Sequence, residues 1–181
     1  MKSWNNYLLI VVAVVSLVSC GSSEPEFADP EAHEKTEQLR EQYTPLITGT
    51  WHYEKVGDKQ RFFERLTFQA DGTLTGMRKW HKRSLVAING SQHYTDWEEV
   101  EQMNGTFIGD WRLQWERDEK GDGHDMIDLY ARYDDPENEY IAYSHITPFA
   151  YADEATLRLQ GYFYGDDGWT LYQRGDAEPS F

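Results

Sequence analysis

Apolar and polar residues alternate along short runs between residues 49 and 175, and no helical period persists there. Such alternation is typical of β-strands with one buried face, because successive strand side chains point to opposite sides. In the run 105–116, large rings alternate with polar residues. The pattern predicts nine strands, near residues 49–56, 60–70, 73–83, 91–101, 105–116, 126–133, 139–149, 155–164 and 168–175.

Turn signals separate these predicted strands. Ala70-Asp71-Gly72 is a tight hairpin signal, and Asn104-Gly105 and Asp167-Gly168 are similar. Regularly spaced strands with short turns favour an up-and-down antiparallel meander, and closing it into a barrel removes the exposed edges. We therefore predict an all-β fold, a barrel of about 8–10 strands. One of the nine predicted runs is either a bent continuation of a neighbour or an extra edge strand.

Aromatic residues occupy both faces of one predicted strand. In the run 60–70, Phe62 and Phe68 share a face with Glu64 and Leu66, whereas Phe63 lies on the opposite face. Aromatic residues on both faces indicate either a lined cavity or an exposed aromatic patch.

The residues before the barrel predict a helix over 30–45. Asp29 is a suitable N-cap, and Pro30 suits the first helical position. Pro45 is expected to end the helix. A narrow stripe recurs at helical spacing and would face the domain, so the helix is predicted to cap one end of the barrel: Ala32, Thr36, Leu39 and Tyr43.

The N-terminus has the proportions of a signal peptide. The apolar run 7–18 is too short to span a bilayer as a helix. It ends in Leu17-Val18-Ser19-Cys20-Gly21, which resembles the lipobox of bacterial lipoproteins. The resemblance implies a signal peptide over 1–19, acylation of Cys20 and a flexible tether over 20–29. The alternative is an ordinary secretory signal with a chance cysteine.

Charge and cysteine content narrow the choice of partners. The chain has 17 basic and 32 acidic residues, and its negative field repels nucleic acid and anionic membrane surfaces. Cys20 is the only cysteine, so the core holds no internal disulfide. The predicted link to a bilayer is therefore the acyl group on Cys20, not a charged surface.

Three segments, in order, resemble the small lipocalin-like lipoproteins common in Bacteroidetes. The segment 46–51 is similar to their opening leucine-to-Gly-x-Trp step, 66–73 to their strand-hairpin signature, and 169–174 to their last strand ending in arginine. The resemblance implies a lipocalin-like barrel over 46–175, followed by a C-terminal tail over 176–181. It also implies an envelope location, on a bacterial membrane and outside the cytoplasm, with the outer membrane favoured.

The same resemblance implies structural roles at the closed end of the barrel. Gly49 would start the first strand tightly, Trp51 would lie across the barrel bottom, and Arg174 would stack on that indole. The chain departs from the lipocalin pattern in its late loop, because the only similar triplet, Thr95-Asp96-Trp97, lies too early.

Candidate catalytic and metal-binding patterns are weak. No Gly-x-Ser-x-Gly elbow occurs, and neighbouring acidic pairs such as Glu98-Glu99 would point to opposite faces of a strand. The six histidines are dispersed, and Leu129 stands where a calcium loop over 118–125 would need its final glutamate. We therefore predict no catalytic residue, metal or cofactor.

The aromatic residues provide the candidate binding site. We predict that the ligand, a small hydrophobic molecule or a glycan stacked on rings, contacts Trp80, Phe107, Trp111, Trp115 and Tyr133. The equally weighted alternative is that these rings fill a barrel too small to hold a ligand. In that case the protein would be an interaction module for an envelope protein.

Overall fold

The structure, a computed structural model, describes residues 29–160 and 168–181, and only the backbone of residues 150 and 151. Of two compact units, Glu31–Phe181 contains the barrel and all of the helix after its first residue. Helix α1 is Pro30–Ile47. The strands are β1 Gly49–Val56, β2 Gln60–Phe68, β3 Thr73–Lys82, β4 Leu85–Ile88, β5 Ser91–Tyr94, β6 Glu98–Glu99, β7 Gly105–Arg117, β8 Gly123–Tyr133, β9 Ile141–Ala152, β10 Thr156–Gln160 and β11 Trp169–Arg174.

Eight of these strands form a closed antiparallel barrel. The sheet runs β2-β1-β11-β10-β9-β8-β7-β3, and β3 pairs back onto β2 to complete the circle. Barrel strands that follow one another along the chain therefore lie side by side. The first strand, β1, pairs with the last, β11, and Trp51 lies opposite Arg174. This arrangement confirms the predicted up-and-down, lipocalin-like barrel.

The predicted strand over 91–101 is wrong as a barrel strand. Ser91–Tyr94 instead pairs with Leu85–Ile88 in a separate two-stranded hairpin between β3 and β7. All four residues of β5 are exposed, so neither face has apolar surface to bury in the barrel. The short strand β6 adds to the edge of β3, pairing Glu99 with His81.

Helix α1 packs on one end of the barrel, as predicted, but it continues to Ile47 instead of ending at Pro45. Pro45 is tolerated because only two helical residues follow it, so its missing N–H bond and the clash of its ring disturb only the end of the helix. The backbone N–H of Thr48 still donates to the Thr44 carbonyl. The predicted stripe faces the barrel: Leu39 is buried, and the Tyr43 ring meets Phe149 edge-on at 5.0 Å.

No helix in residues 29–160 and 168–181 has both the length and the apolar character needed to cross a membrane.

The C-terminal residues 176–181 lie on the outside of β1, β2 and β3. Arg65 on β2 forms ion pairs with Asp176 at 2.6 Å and Glu178 at 2.8 Å. Phe181 meets the His81 ring at 5.3 Å. The strand register places Phe63 between these contacts on the same outer face, and Phe63 is 1% exposed. The tail thus runs across the outer face of the sheet on which this ring lies.

Candidate functional site

The base of the barrel brings Gly49, Trp51 and Arg174 together. The Arg174 guanidinium carbon lies 4.1 Å from the centre of the Trp51 ring. Arg174 also donates hydrogen bonds to the carbonyls of Thr48, at 3.0 Å, and Leu46. A Cβ on Gly49 would approach Arg174 Nη1 to 2.6 Å, and the φ of Gly49 is +131°. Glycine therefore suits this position on both counts.

The Trp51 indole joins this cluster to the helix. Its Nε1–H donates to the Ile47 carbonyl at 2.7 Å, and the side chain is fully buried. The residue thus links the end of α1, the first strand and the last strand. Its surroundings are those of a structural residue.

The five predicted ligand-contacting aromatic residues do not form one site. Phe107, Trp111 and Tyr133 are buried, and Phe107 packs edge-on against Tyr133 at 5.9 Å. Trp115 lies beneath Lys35 of α1, whereas Trp80 packs edge-on against Phe62. Three of the rings therefore fill the barrel, and the other two lie apart from them.

A buried ion pair joins the adjacent strands β2 and β3 on the inner face of the barrel, where Glu64 lies opposite Arg78. Arg78 Nη2 and Nε donate to the same oxygen, Glu64 Oε1, at 2.6 and 2.8 Å. The two side chains are only 1–2% exposed. Arg78 also lies 5.1 Å from the ring of Tyr143 and 5.6 Å from that of Phe107. Burying both charges is costly unless their hydrogen bonds are satisfied.

Tyrosine hydroxyls complete the network around this pair. Tyr172 donates to Glu64 Oε2 at 2.5 Å, and Arg78 Nη1 donates to the Tyr133 hydroxyl at 3.1 Å. Tyr133 in turn donates to the Met103 carbonyl at 2.9 Å. Burial, and then the charge of Glu64, raise the pKa values of Tyr143 and Tyr172 well above that of free tyrosine. Both hydroxyls are therefore protonated at neutral pH.

A partly enclosed cavity of about 330 Å³ adjoins this network. It lies toward the end of the barrel opposite Trp51, because its wall includes the last residue of β10 and the first residue of β9. The described wall residues are Glu64, Arg78, Leu129, Ile141, Ala142, Tyr143, Ser144, His145, Thr147, Leu159, Gln160, Thr170 and Tyr172. None of the five predicted aromatic residues is among them.

Two wall residues have distinctive polar groups. The Thr170 side chain is 1% exposed, and its Oγ1 has no hydrogen-bond partner among the residues that the structure describes. Such an unpaired buried hydroxyl is uncommon in folded proteins. His145 is half-buried, and burial, followed by the charge of Arg78, lowers its pKa. His145 is therefore mainly neutral at pH 7.

Sequence reasoning missed Glu64, Arg78 and Thr170 as site residues. Glu64 did leave a signal, because it is the only charged residue on a strand face shared with Phe62, Leu66 and Phe68. Arg78 gave a weaker signal, since it shares a face of its predicted strand with Leu74 and Trp80. Thr170 left none, because threonine is an ordinary strand residue.

In the described part of the chain, no three His, Cys, Asp or Glu side chains converge as metal ligands would.

Comparison with known proteins gives no family assignment, since no protein-family model, curated protein or solved structure matches the chain.

Proposed function

We propose that this protein is a lipid-anchored, lipocalin-like binding protein, not an enzyme, and that it holds a small molecule in the cavity beside Glu64 and Arg78. The observation that carries the proposal is the buried Thr170 hydroxyl, which has no partner among the described residues and belongs to a residue of the cavity wall. A bound molecule would supply the missing hydrogen bond. Leaving such a buried group unsatisfied costs about 1–3 kcal/mol.

The cavity has the size and mixed polarity that a ligand site needs. Its volume of about 330 Å³ lies at the lower end of the range for small-molecule sites. Leu129 and Leu159 supply apolar wall, while Thr170 and the tyrosine hydroxyls supply polar groups. The rings of Phe107 and Trp111 fill another part of the interior, so the barrel is partly packed and partly hollow.

Native mass spectrometry of the full chain, purified from its own cells, tests the proposal. We expect a small molecule to co-purify with the parent protein and to be lost from Leu159→Trp, in which the larger side chain occupies the cavity. Leu171→Trp is the matched control, because Leu171 is 42% exposed on the neighbouring strand. Thr170→Val serves as a second variant if Leu159→Trp fails to fold. The proposal fails if no small molecule is retained by the folded parent.

The anchor is the second part of the proposal, and it depends on Cys20, which lies outside the described residues. A lipobox-like end to the apolar segment supports acylation of this cysteine. We expect the parent to enter the detergent phase of a partition assay and Cys20→Ser to remain in the aqueous phase. Equal partition of the two proteins would contradict the anchor.

The alternative function, an interaction module for an envelope protein, is favoured by the hairpin β4–β5. This insertion lies outside the closed barrel and exposes Leu85, Ile88 and Tyr94. Arg83 stacks over Tyr94 at 4.1 Å and over Trp97 at 4.4 Å, which orders the base of the hairpin. Deletion of 85–94 separates the two functions, because it should abolish partner capture but leave small-molecule retention unchanged.

A further inference from the structure

The charged groups in the cavity wall compensate each other. Arg78 directs Nε and Nη2 to Glu64, and its Nη1 to the Tyr133 hydroxyl. The second oxygen of Glu64 accepts from Tyr172. The guanidinium and the carboxylate are therefore both engaged inside the protein. Neither offers an unpaired charge to a ligand.

No other described wall residue restores a net charge. Of the remaining side chains, only His145 can be charged near neutral pH, and it is half-buried beside the Tyr143 ring at 5.6 Å. Burial and the nearby Arg78 charge favour its neutral form. A charged ligand would lose its hydration without gaining a counter-charge, which is costly in a buried site.

The two wall threonines differ in what they offer. Thr147 Oγ1 donates to the Gln160 carbonyl at 3.0 Å, so its hydrogen atom is already used. Thr170 Oγ1 has no such partner, although Thr170 is the more deeply buried of the two. A hydroxyl both donates and accepts, so Thr170 can bond an alcohol, a carbonyl or an amide.

We infer that the cavity selects an uncharged ligand with an apolar body and one hydrogen-bonding group, which bonds to the Thr170 hydroxyl. The inference rests on the proposed binding function and specifies its ligand class. At about 30 Å³ for each water-sized group, the volume of about 330 Å³ admits about ten non-hydrogen atoms. The apolar body would lie against Leu129 and Leu159.

Three probes of similar size and different charge test this inference: benzyl alcohol, benzylamine and benzoate. Each is titrated at pH 7 into the full chain in detergent, and binding is followed by the NMR amide signals of β10 and β11. We expect benzyl alcohol to bind at least about tenfold more tightly than either charged probe, because only the neutral probe avoids uncompensated burial of a charge.

Thr170→Val tests the hydrogen bond itself. We expect the variant to bind benzyl alcohol about 2- to 12-fold more weakly, which corresponds to one ordinary hydrogen bond. Its melting temperature should not fall, since the parent hydroxyl has no partner to lose. Thr106→Val, on an exposed face of β7, is the matched control and should bind like the parent.

The possible failures are distinguishable. Equal or tighter binding of a charged probe would overturn the inference and leave the proposed function standing. Equal binding by Thr170→Val and Thr106→Val would overturn the role of Thr170. Failure of all three probes to bind would also overturn the inference, whereas the proposed function is decided separately by the co-purified molecule.

Discussion

Single residues contribute unequally to the stability of this fold, and we expect the contribution of Trp51 to be one of the largest. Its indole accepts the Arg174 cation on one face and donates to the end of α1. We expect Trp51→Ala to lower the free energy of unfolding by about 3–5 kcal/mol, because a large buried ring is removed. Urea denaturation measures the loss. Trp97→Ala, at a half-buried position outside the barrel, should cost clearly less.

The opposite outcome for Trp51 has a definite meaning. A Trp51→Ala variant that unfolds at the parental urea concentration but retains no small molecule would place the ligand at the α1 end. The proposed site near Thr170 would then be at the wrong end of the barrel.

The Glu64–Arg78 pair should show strong coupling. Glu64→Leu leaves Arg78 buried without its counter-charge, so we expect a loss of about 3–5 kcal/mol in the free energy of unfolding. Adding Arg78→Met should restore most of it, because a well-packed apolar pair avoids the desolvation cost. Urea denaturation of both single variants and the double variant measures this coupling. Simple additivity of the single losses would contradict it.

At this scale the sequence indicates which residues face inward, but it does not identify their contacts. Alternation places the charged residue Glu64 on the same strand face as Phe62 and Leu66. A charged residue on an otherwise apolar face can be recognised from the sequence alone. Its partner Arg78 lies on another strand, and the pairing follows from the β2–β3 register. The unpaired Thr170 hydroxyl depends on atomic positions that no residue pattern encodes.

At the scale of elements, one of the three hairpin signals is confirmed; Asn104-Gly105 instead lies between a 3-10 helix, Glu101–Met103, and β7, and Asp167 is outside the described residues. The turn over 70–72 joins β2 and β3, and Gly72 has a φ of +90°, which glycine adopts readily. The segment 85–99 was predicted poorly, since its strands β4 and β5 pair only with each other. Without a buried face to specify them, an insertion and a barrel strand have similar sequence patterns.

The C-terminal tail should behave as part of the domain. A chain ending at Gly175 would lose the contacts of Asp176 and Glu178 with Arg65 and would expose Phe63. We expect its free energy of unfolding to fall by about 1–3 kcal/mol, mostly from the apolar surface uncovered. The ion pairs contribute little, because both carboxylates are largely exposed.

Two sets of variants separate the contribution of apolar packing by the tail from that of its ion pairs. Phe181→Ala should reproduce part of the loss, whereas Asp176→Asn with Glu178→Gln should have a small effect that disappears at high salt. A truncated chain as stable as the parent in urea would show that the tail does not support the barrel.

For the whole molecule, one part of the barrel interior is filled by side chains and another part is a cavity. The alternating rings predicted an aromatic interior, and Phe107, Trp111 and Tyr133 are buried there. The sequence left open whether such a barrel is full or hollow. That outcome depends on how side chains from facing strands meet, which strand-by-strand alternation does not determine.

The stability of the whole molecule should fall at alkaline pH. Burial and the charge of Glu64 raise the pKa values of Tyr143 and Tyr172 in the folded protein, whereas unfolded tyrosine titrates near pH 10. Above about pH 10, the unfolded chain therefore releases protons that the folded chain retains, and unfolding becomes more favourable. Below that pH, both states hold these protons and the contribution is constant.

Urea denaturation between about pH 8 and 11 measures this dependence. The double variant Tyr143→Phe with Tyr172→Phe should lose stability with a shallower slope above about pH 10, whatever its starting stability. Tyr140→Phe is the control, because Tyr140 is 56% exposed. A double variant with the parental slope would contradict the assignment.

The pairing of the first strand with the last constrains the order in which the chain can fold. The backbone N–H of Gly175 donates to the Thr50 carbonyl at 2.8 Å, and Trp51 lies opposite Arg174. A growing chain cannot make these bonds until β11 has emerged, so β1 and β10 remain open edges until then. Closing so long a loop is slow, and open edges invite association with other chains. The unfinished chain would therefore benefit from a chaperone until its last strand is available.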